Sequence, residues 1–218
     1  VVTSIPRVRI SVNFSRMHAL YENDFVARLC SIVDSYGVPH SLIEIEITES
    51  TYINLVNIIE PFIRNIRQAG FAIAVDDFGS GASNLGFVKS IEMDTLKIDK
   101  SLISSNGTDN KERVMLESVL YLAHRLNLNS VAEGVETPEQ LGLLKTLGCR
   151  HIQGFIFASP MPENEFLEIC IKEKEKILNA LEIKDFPESH SMKMLLDTVF
   201  NNYPMVVLSN LSKNSYYM

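Results

Sequence analysis

The sequence predicts an α/β fold on parallel strands, either a barrel or a doubly wound sheet, from three observations. Six short apolar runs rich in Val and Ile occur in order: RVRISVNFS, LIEIEITES, FAIAVDDFGSG, DTLKIDK, NSVAEGVE and HIQGF. Stretches with helical spacing separate them through most of the first 183 residues, which is the order of repeated strand-helix-strand units. Each run also closes on or near a carboxylate, an amide or a lysine: Asn13, Glu46, Asp76 with Asp77, Lys97, Glu133 and Gln153. In a parallel barrel all strand ends open on one face, so these side chains would converge on one pocket rich in oxygen ligands. Such ligands suit a hard divalent cation, and two cations side by side can drive phosphate-ester hydrolysis.

The elements follow in order. In the first run Val8, Ile10 and Val12 alternate with Arg7, Arg9 and Ser11, the period of a strand. Asn23 to Tyr36 sets Phe25, Val26, Leu29, Ile32 and Val33 on one helical face, and Gly37 is a left-handed stop. In the second run Glu44 and Glu46 oppose Ile43, Ile45 and Ile47, and the period does not say which set faces the interior. Leu55 to Ala69 repeats the helical design and ends at Gly70, with Pro61 predicting a kink or a late start.

The third run, Phe71 to Val75, leads into Asp76 and Asp77 and is stopped by Phe78-Gly79-Ser80-Gly81. A bend at that rim presents both carboxylates to one site; the alternative is a turn in which an aspartate caps the next helix. Lys97 sits between Leu96 and Ile98, and a lysine inside a closed barrel needs acids or a phosphate beside it. The plain alternative is an ion pair with Asp99. Lys111 to Leu126 carries an apolar stripe through Val114, Leu116, Val119, Leu120, Leu122 and Ala123. Thr137-Pro138-Glu139-Gln140 is a capped helix start, with Gln140 reaching back as the box partner. A charged helix runs from Glu163 to Ile183, Lys184 to Ser191 reads as a linker, and residues 192–218 read as the start of a second module.

Composition narrows the function. With 218 residues, 46% hydrophobic and 22% charged, the chain can bury a sizeable core. Its net charge of -7 argues against binding a DNA or RNA polymer, or an anionic membrane, through bulk positive charge. Cys30, Cys149 and Cys170 form no CxxC pair, so neither a disulfide framework nor a zinc site is expected, and a reducing cytoplasm fits. His18, His40, His124, His151 and His190 show no metal-ligand spacing. No run reaches the roughly 18 apolar residues that spanning a bilayer requires. The chain opens at Val1, without Met and close to a strand, and reads as a piece of something longer whose other segments could anchor it to a membrane.

Among the acids, Glu44 reads more as a solvated strand face, whereas Glu46, near its strand end, reads as a site residue. Asn13 alone would be a turn former. Glu133 and Glu136 flank Gly134, which lets a ligand approach the backbone, and Gln153-Gly154 repeats that arrangement.

Taken together, SVNFS, EIEITES, VDDFGSGASNL, LKIDK, VAEGVET and QGFIFASPMP, in this order and spacing, resemble the EAL-domain phosphodiesterases that hydrolyse cyclic di-GMP to linear pGpG. The resemblance covers about Ile10 to Ile183. It implies a modified TIM (βα)8 barrel, incomplete here at its N-terminus, holding two Mg²⁺ or Mn²⁺ ions. Position by position, it makes Asn13, Glu46, Asp76 and Asp77 metal ligands, with Asp76 the bridge. Lys97 and Glu133 match the residues that hold or activate the attacking water. Gln153 and Asp99 match positions that meet the substrate, and Glu49 and Glu136 positions that steady the surrounding loops.

Three departures qualify it. The Glu-Ala-Leu motif of an early strand, with a metal-binding glutamate and a nearby phosphate-gripping arginine, is absent. Six strands are visible, as if two of eight, about a quarter of the barrel, were missing. Gly81-Ala82-Ser83 has alanine where the family often has tyrosine. The resemblance also implies a cytoplasmic site of action and a homodimer formed through the barrel. Residues 192–218 resemble the opening of a PAS-like module of the kind found beside diguanylate cyclase domains. The competing readings are a non-catalytic cyclic di-GMP receptor and an inactive open barrel with two exposed strand edges.

Overall fold

The computed structural model describes residues 9–21, 24–80, 85–103 and 110–180. The start of the first run, the Gly81-Ala82-Ser83 segment, the expected linker at 184–191 and the expected module at 192–218 lie outside them. All six apolar runs are strands: β1 (Ile10–Asn13), β2 (Ile43–Thr48), β3 (Ala72–Phe78), β4 (Thr95–Ile98), β5 (Asn129–Ala132) and β6 (His151–Ile152). They form one sheet in the order β1-β2-β3-β4-β5-β6, and every pairing is parallel. A doubly wound sheet would reverse its strand order at a switch point, so the unbroken order selects the barrel, here an incomplete one.

The helices are α1 (Arg16–Tyr21), α2 (Phe25–Ser35), α3 (Glu49–Asn54), α4 (Val56–Gln68), α5 (Leu85–Ser90), α6 (Asn110–Arg125), α7 (Pro138–Thr146) and α8 (Glu163–Ala180). Local chemistry accounts for their ends. Gly37 follows α2 at φ +63°, and Thr137 and Gln140 close both halves of the capping box on α7. Pro61 falls inside α4, which starts at Val56, so the expected late start does not occur. The short α3 begins directly at the end of β2 and α1 three residues after the end of β1, and both are too short for helical periodicity to show.

Packing decides which way each strand faces. Ile45 and Ile47 of β2 join Ile59, Ile63 and Ile66 of α4 in one core cluster with Ile73, Val75 and Leu96. Each isoleucine buried there contributes about 1.5–3 kcal/mol. A second cluster joins Ile98, Ala132 and Ile152 to Leu116 and Leu120 of α6 and Leu144 of α7. With the aliphatic positions turned to the helices, the opposite parity faces the barrel interior: Ser11 and Asn13, Glu44 and Glu46, Thr95 and Lys97. At the far end of the sheet, Asp94 Oδ2 accepts from the Ile73 N–H at 2.9 Å and from Arg67 of α4, tying that helix to β3 and β4.

Candidate active site

The site grows from the alternation of the strands. Asn13 pairs in register with Glu46, and Thr48 with Asp76, so three neighbouring strands bring their polar ends to the same rim. Glu133 and Gln153 follow directly after β5 and β6. Between them lies Lys97, only 1% exposed. Its ammonium donates to Glu46 Oε1 at 2.6 Å, meets Glu133 Oε1 at 2.6 Å and lies 3.6 Å from Asp76 Oδ1. Asp99 is not its partner: that carboxylate accepts from the Ser101 N–H at 2.9 Å and caps the 3-10 turn Lys100–Leu102.

Asp76 and Asp77 would face opposite ways on a regular strand. The β3–β4 register shifts between Val75 and Phe78, and Asp77 takes a left-handed φ of +58°. This bulge turns the second aspartate back, as expected from the Gly-rich stop. One carboxylate oxygen from each of Asp76, Asp77 and Glu133 then lies within 4.8 Å of the others.

One buried ammonium serves three carboxylates, and the electrostatics follow. Burial would pull the Lys97 pKa down, but the combined attraction of Glu133, Glu46 and Asp76 outweighs it and raises it above the ordinary lysine value. Burial raises the pKa of both Glu46 and Glu133 in spite of Lys97. The acids compete for one cation, so the cluster titrates as a unit.

The residues fit a hard cation. Glu46 Oε2 is buried with no hydrogen-bond partner, an arrangement that costs free energy unless something positive meets it. Three acids around one lysine also leave the cluster net negative. Glu46, Asp76, Asp77 and the amide of Asn13 would hold Mg²⁺ or Mn²⁺, which prefer such oxygen donors.

A carboxyl whose pKa is raised on folding keeps its proton better in the folded than in the unfolded chain, so stability is lost as pH rises upward from the ordinary glutamate range. The cation-free protein should therefore lose stability over that window, and the decline should shrink in Glu133→Gln. Mn²⁺ should reverse it by replacing the protons. Urea melts from pH 4.5 to 8 check this, and identical slopes for wild type and variant would refute it.

The other expected site residues are placed as follows. Glu49 is 1% exposed in the first turn of α3, where an acid suits the positive end of the helix. Gln153 is fixed through its backbone, donating to Ala132 O at 2.8 Å and accepting from the Val135 N–H at 3.1 Å. Glu136 is exposed, and its N–H donates to Gln140 Oε1 at 2.8 Å. Glu44 corrects the solvated-face reading. It is 4% exposed inside the barrel, accepting from Thr95 Oγ1 at 2.6 Å and Ser11 Oγ at 2.8 Å, with Arg9 at 3.5 Å. The signal for this lower polar layer was available, since Ser11 and Thr95 share parity with Asn13 and Lys97.

Comparison with known proteins gives a consistent picture. Residues 3–160 match the family model described as the EAL domain. The cyclic di-GMP phosphodiesterase NbdA of Pseudomonas aeruginosa is 30% identical over 156 residues, 72% of this chain and 20% of that protein. The crystal structure of the EAL domain of Mycobacterium smegmatis DcpA superposes with a TM-score of 0.71 at 31% identity, covering 77% of this chain and 75% of that one. Klebsiella pneumoniae BlrP1, solved with manganese and cyclic di-GMP, gives 0.68 at 28% identity over 71% of this chain and 40% of that chain. The chain thus spans about a fifth of the length of the curated relatives it matches.

Proposed function

The chain belongs to the EAL family, and on that premise we propose that it carries the metal-binding and catalytic rim of a phosphodiesterase that hydrolyses cyclic di-GMP to linear pGpG. The observation that carries this reading is the Lys97 ammonium held among Glu46, Glu133 and Asp76, with Asp77 turned to the same side. NbdA bears the name of that activity, and BlrP1 was solved with manganese or calcium beside the dinucleotide.

Asn13, Glu46, Asp76 and Asp77 would hold two Mg²⁺ or Mn²⁺ ions, which supply Lewis acidity toward the phosphodiester and lower the pKa of water. Lys97 sets a fixed positive charge beneath the reacting phosphate, where charge grows in the transition state. Burial lifts the Glu133 carboxyl to about 7, so that its ionised form would be poised to take the proton of the attacking water. Gln153 and Asp99 line the substrate side, and Glu49 and Glu136 hold the loops around it.

The domain reading that accompanies this is an EAL unit over 1–183, a linker over 184–191 and a second, PAS-like module from 192. The polypeptide would join sensory or cyclase modules to the barrel, as the name of the 35% identical relative, the oxygen sensor DosP of Escherichia coli, illustrates. Two copies would pair through the barrel, and the protein would act in the cytoplasm. No helix among the described residues is long and apolar enough to cross a membrane.

The test is turnover of cyclic di-GMP by the native-length protein in Mn²⁺, followed as pGpG. Asp76→Ala should abolish it, by a factor of 100 or more on the order of losing a principal electrostatic group. Tight binding without any pGpG would select the receptor reading, and an unchanged Asp76→Ala rate would refute the bridging role.

A further inference from the structure

Below the acidic cluster the barrel interior holds a further buried carboxylate with donors of its own. Glu44 is 4% exposed and stands two residues before Glu46 on the same face of β2. Its Oε1 accepts from Thr95 Oγ1 at 2.6 Å and its Oε2 from Ser11 Oγ at 2.8 Å, while Arg9 lies 3.5 Å from Oε1. Thr95, itself buried, stands two residues before Lys97 on β4. The Glu44–Thr95 bond therefore joins the same two strands as the Glu46–Lys97 bond, one layer lower. Both bonds cross over β3, where Ala72 and Ala74 hold the register positions beside Glu44 and Glu46 and leave room for side chains of β2 and β4 to meet.

Two acid–donor pairs stacked between the same strands set up a competition for partners. Lys97 is the one buried lysine among the described residues, and Glu46, Glu133 and Asp76 already share it. Glu44 is near enough for its charge to act on Glu46. A buried carboxylate without donors is costly, so a Glu44 set free here would be drawn to the ammonium one layer above. Short hydroxyl bonds to a charged oxygen are among the stronger hydrogen bonds, and two of them hold Glu44 down. Arg9 adds a longer contact from a side chain that is 33% exposed.

We propose that Thr95, with Ser11, is a positioning residue for the reaction: it keeps the Glu44 carboxylate in the lower layer and so reserves the Lys97 ammonium for Glu46, Glu133 and Asp76. The proposal rests on the phosphodiesterase reading of the rim and adds to it a residue that touches neither cation nor substrate. Its signature is a pair of changes of opposite sign. A released Glu44 would pull the ammonium toward itself, and the three upper acids would lose part of their counter-charge. Cation affinity would then rise while the charge offered to the transition state is displaced and turnover falls. General loosening of the strands would lower both.

The experiment follows Mn²⁺ titration of the cation-free, native-length protein and cyclic di-GMP turnover at saturating Mn²⁺. Thr95→Val, close in shape and without the hydroxyl, should bind Mn²⁺ about threefold or more tighter. It should lose about tenfold in kcat with KM within about twofold. Thr95→Ser keeps the donor and should stay within about twofold of wild type in both readouts. Adding Glu44→Gln to Thr95→Val removes the stray charge and keeps an acceptor for Ser11. The double variant should regain most of the lost kcat and return to wild-type Mn²⁺ affinity, a coupling that only contacting partners show.

Thr95→Val with wild-type kcat and Mn²⁺ affinity would overturn the proposal. So would a fall in both that Glu44→Gln does not relieve, the result for a hydrogen bond that merely holds strands together. Should Thr95→Val not fold, Ser11→Ala removes the other donor and decides between the same outcomes with smaller changes. Wild type that binds Mn²⁺ and leaves cyclic di-GMP intact would overturn the phosphodiesterase reading, while the Mn²⁺ titrations of the variants would still decide this one.

Discussion

Lys97→Met should destabilise the cation-free protein by about 3–5 kcal/mol near neutral pH, the cost of leaving buried charges without their partner. Lys97 is 1% exposed and sits 2.6 Å from both Glu46 and Glu133, so no solvent replaces it when it is removed. Methionine keeps most of the volume, which confines the change to charge. The acids left behind can lower the cost only by taking up protons, so the penalty should shrink as pH falls toward the glutamate range. A divalent cation offers the other escape. Mn²⁺ should raise the melting temperature more in Lys97→Met than in wild type, because three carboxylates without a resident ammonium attract it more strongly, while turnover stays lost. Urea melts at pH 5 and 7.5, with and without Mn²⁺, read all three effects. A loss under about 1 kcal/mol that is indifferent to pH and to Mn²⁺ would mean that Lys97 is not the charge that holds this cluster together.

That lysine also marks how far the sequence could be read. The strands were legible because Val and Ile runs of strand length alternate with amphipathic stretches, and all six appear where expected. Which face of β2 points inward was not legible. A strand buried on both sides has a period of 2 with two apolar-compatible answers, and only the packing of Ile45 and Ile47 on α4 turns Glu44 and Glu46 into the barrel. The need of Lys97 for acidic company was legible, with a local pair to Asp99 as the plain alternative, but a sequence does not display which distant acids meet Lys97. Its hydrogen-bond partner Glu46 is 51 residues away and meets it only through parallel pairing across β3. The joint presentation of Asp76 and Asp77 was foreseeable from the glycines that follow, but it depends on the left-handed φ of Asp77, which the register shift against β4 sets. Residues at strand ends were thus predictable as a set, and their pairings required the fold.

Gly154→Ala should be the most disruptive single-methyl change in the described part of the barrel. The new Cβ would lie 2.1 Å from Val135 O, 2.4 Å from Val135 N and 2.7 Å from its carbonyl carbon, all backbone, so no side chain can swing away to make room. The segments after β5 and β6 would have to separate. That would strain or break the bonds from the Val135 N–H to Gln153 O and from the Ile156 N–H to Val135 O, each 3.1 Å. Overpacking and two weakened hydrogen bonds together predict a loss of about 3 kcal/mol. The displacement would also carry Glu133 away from the Lys97 ammonium it meets at 2.6 Å, so cation affinity should fall with stability. Gly142→Ala supplies the control. Gly142 lies within α7 with nothing within 4 Å of its added Cβ, so alanine there should stabilise by up to about 1 kcal/mol through helix propensity. Denaturant melts and Mn²⁺ titrations of the two variants side by side should therefore move in opposite directions. If Gly154→Ala melts like wild type and binds Mn²⁺ as well, the close approach of these two loops does not set the geometry of the rim.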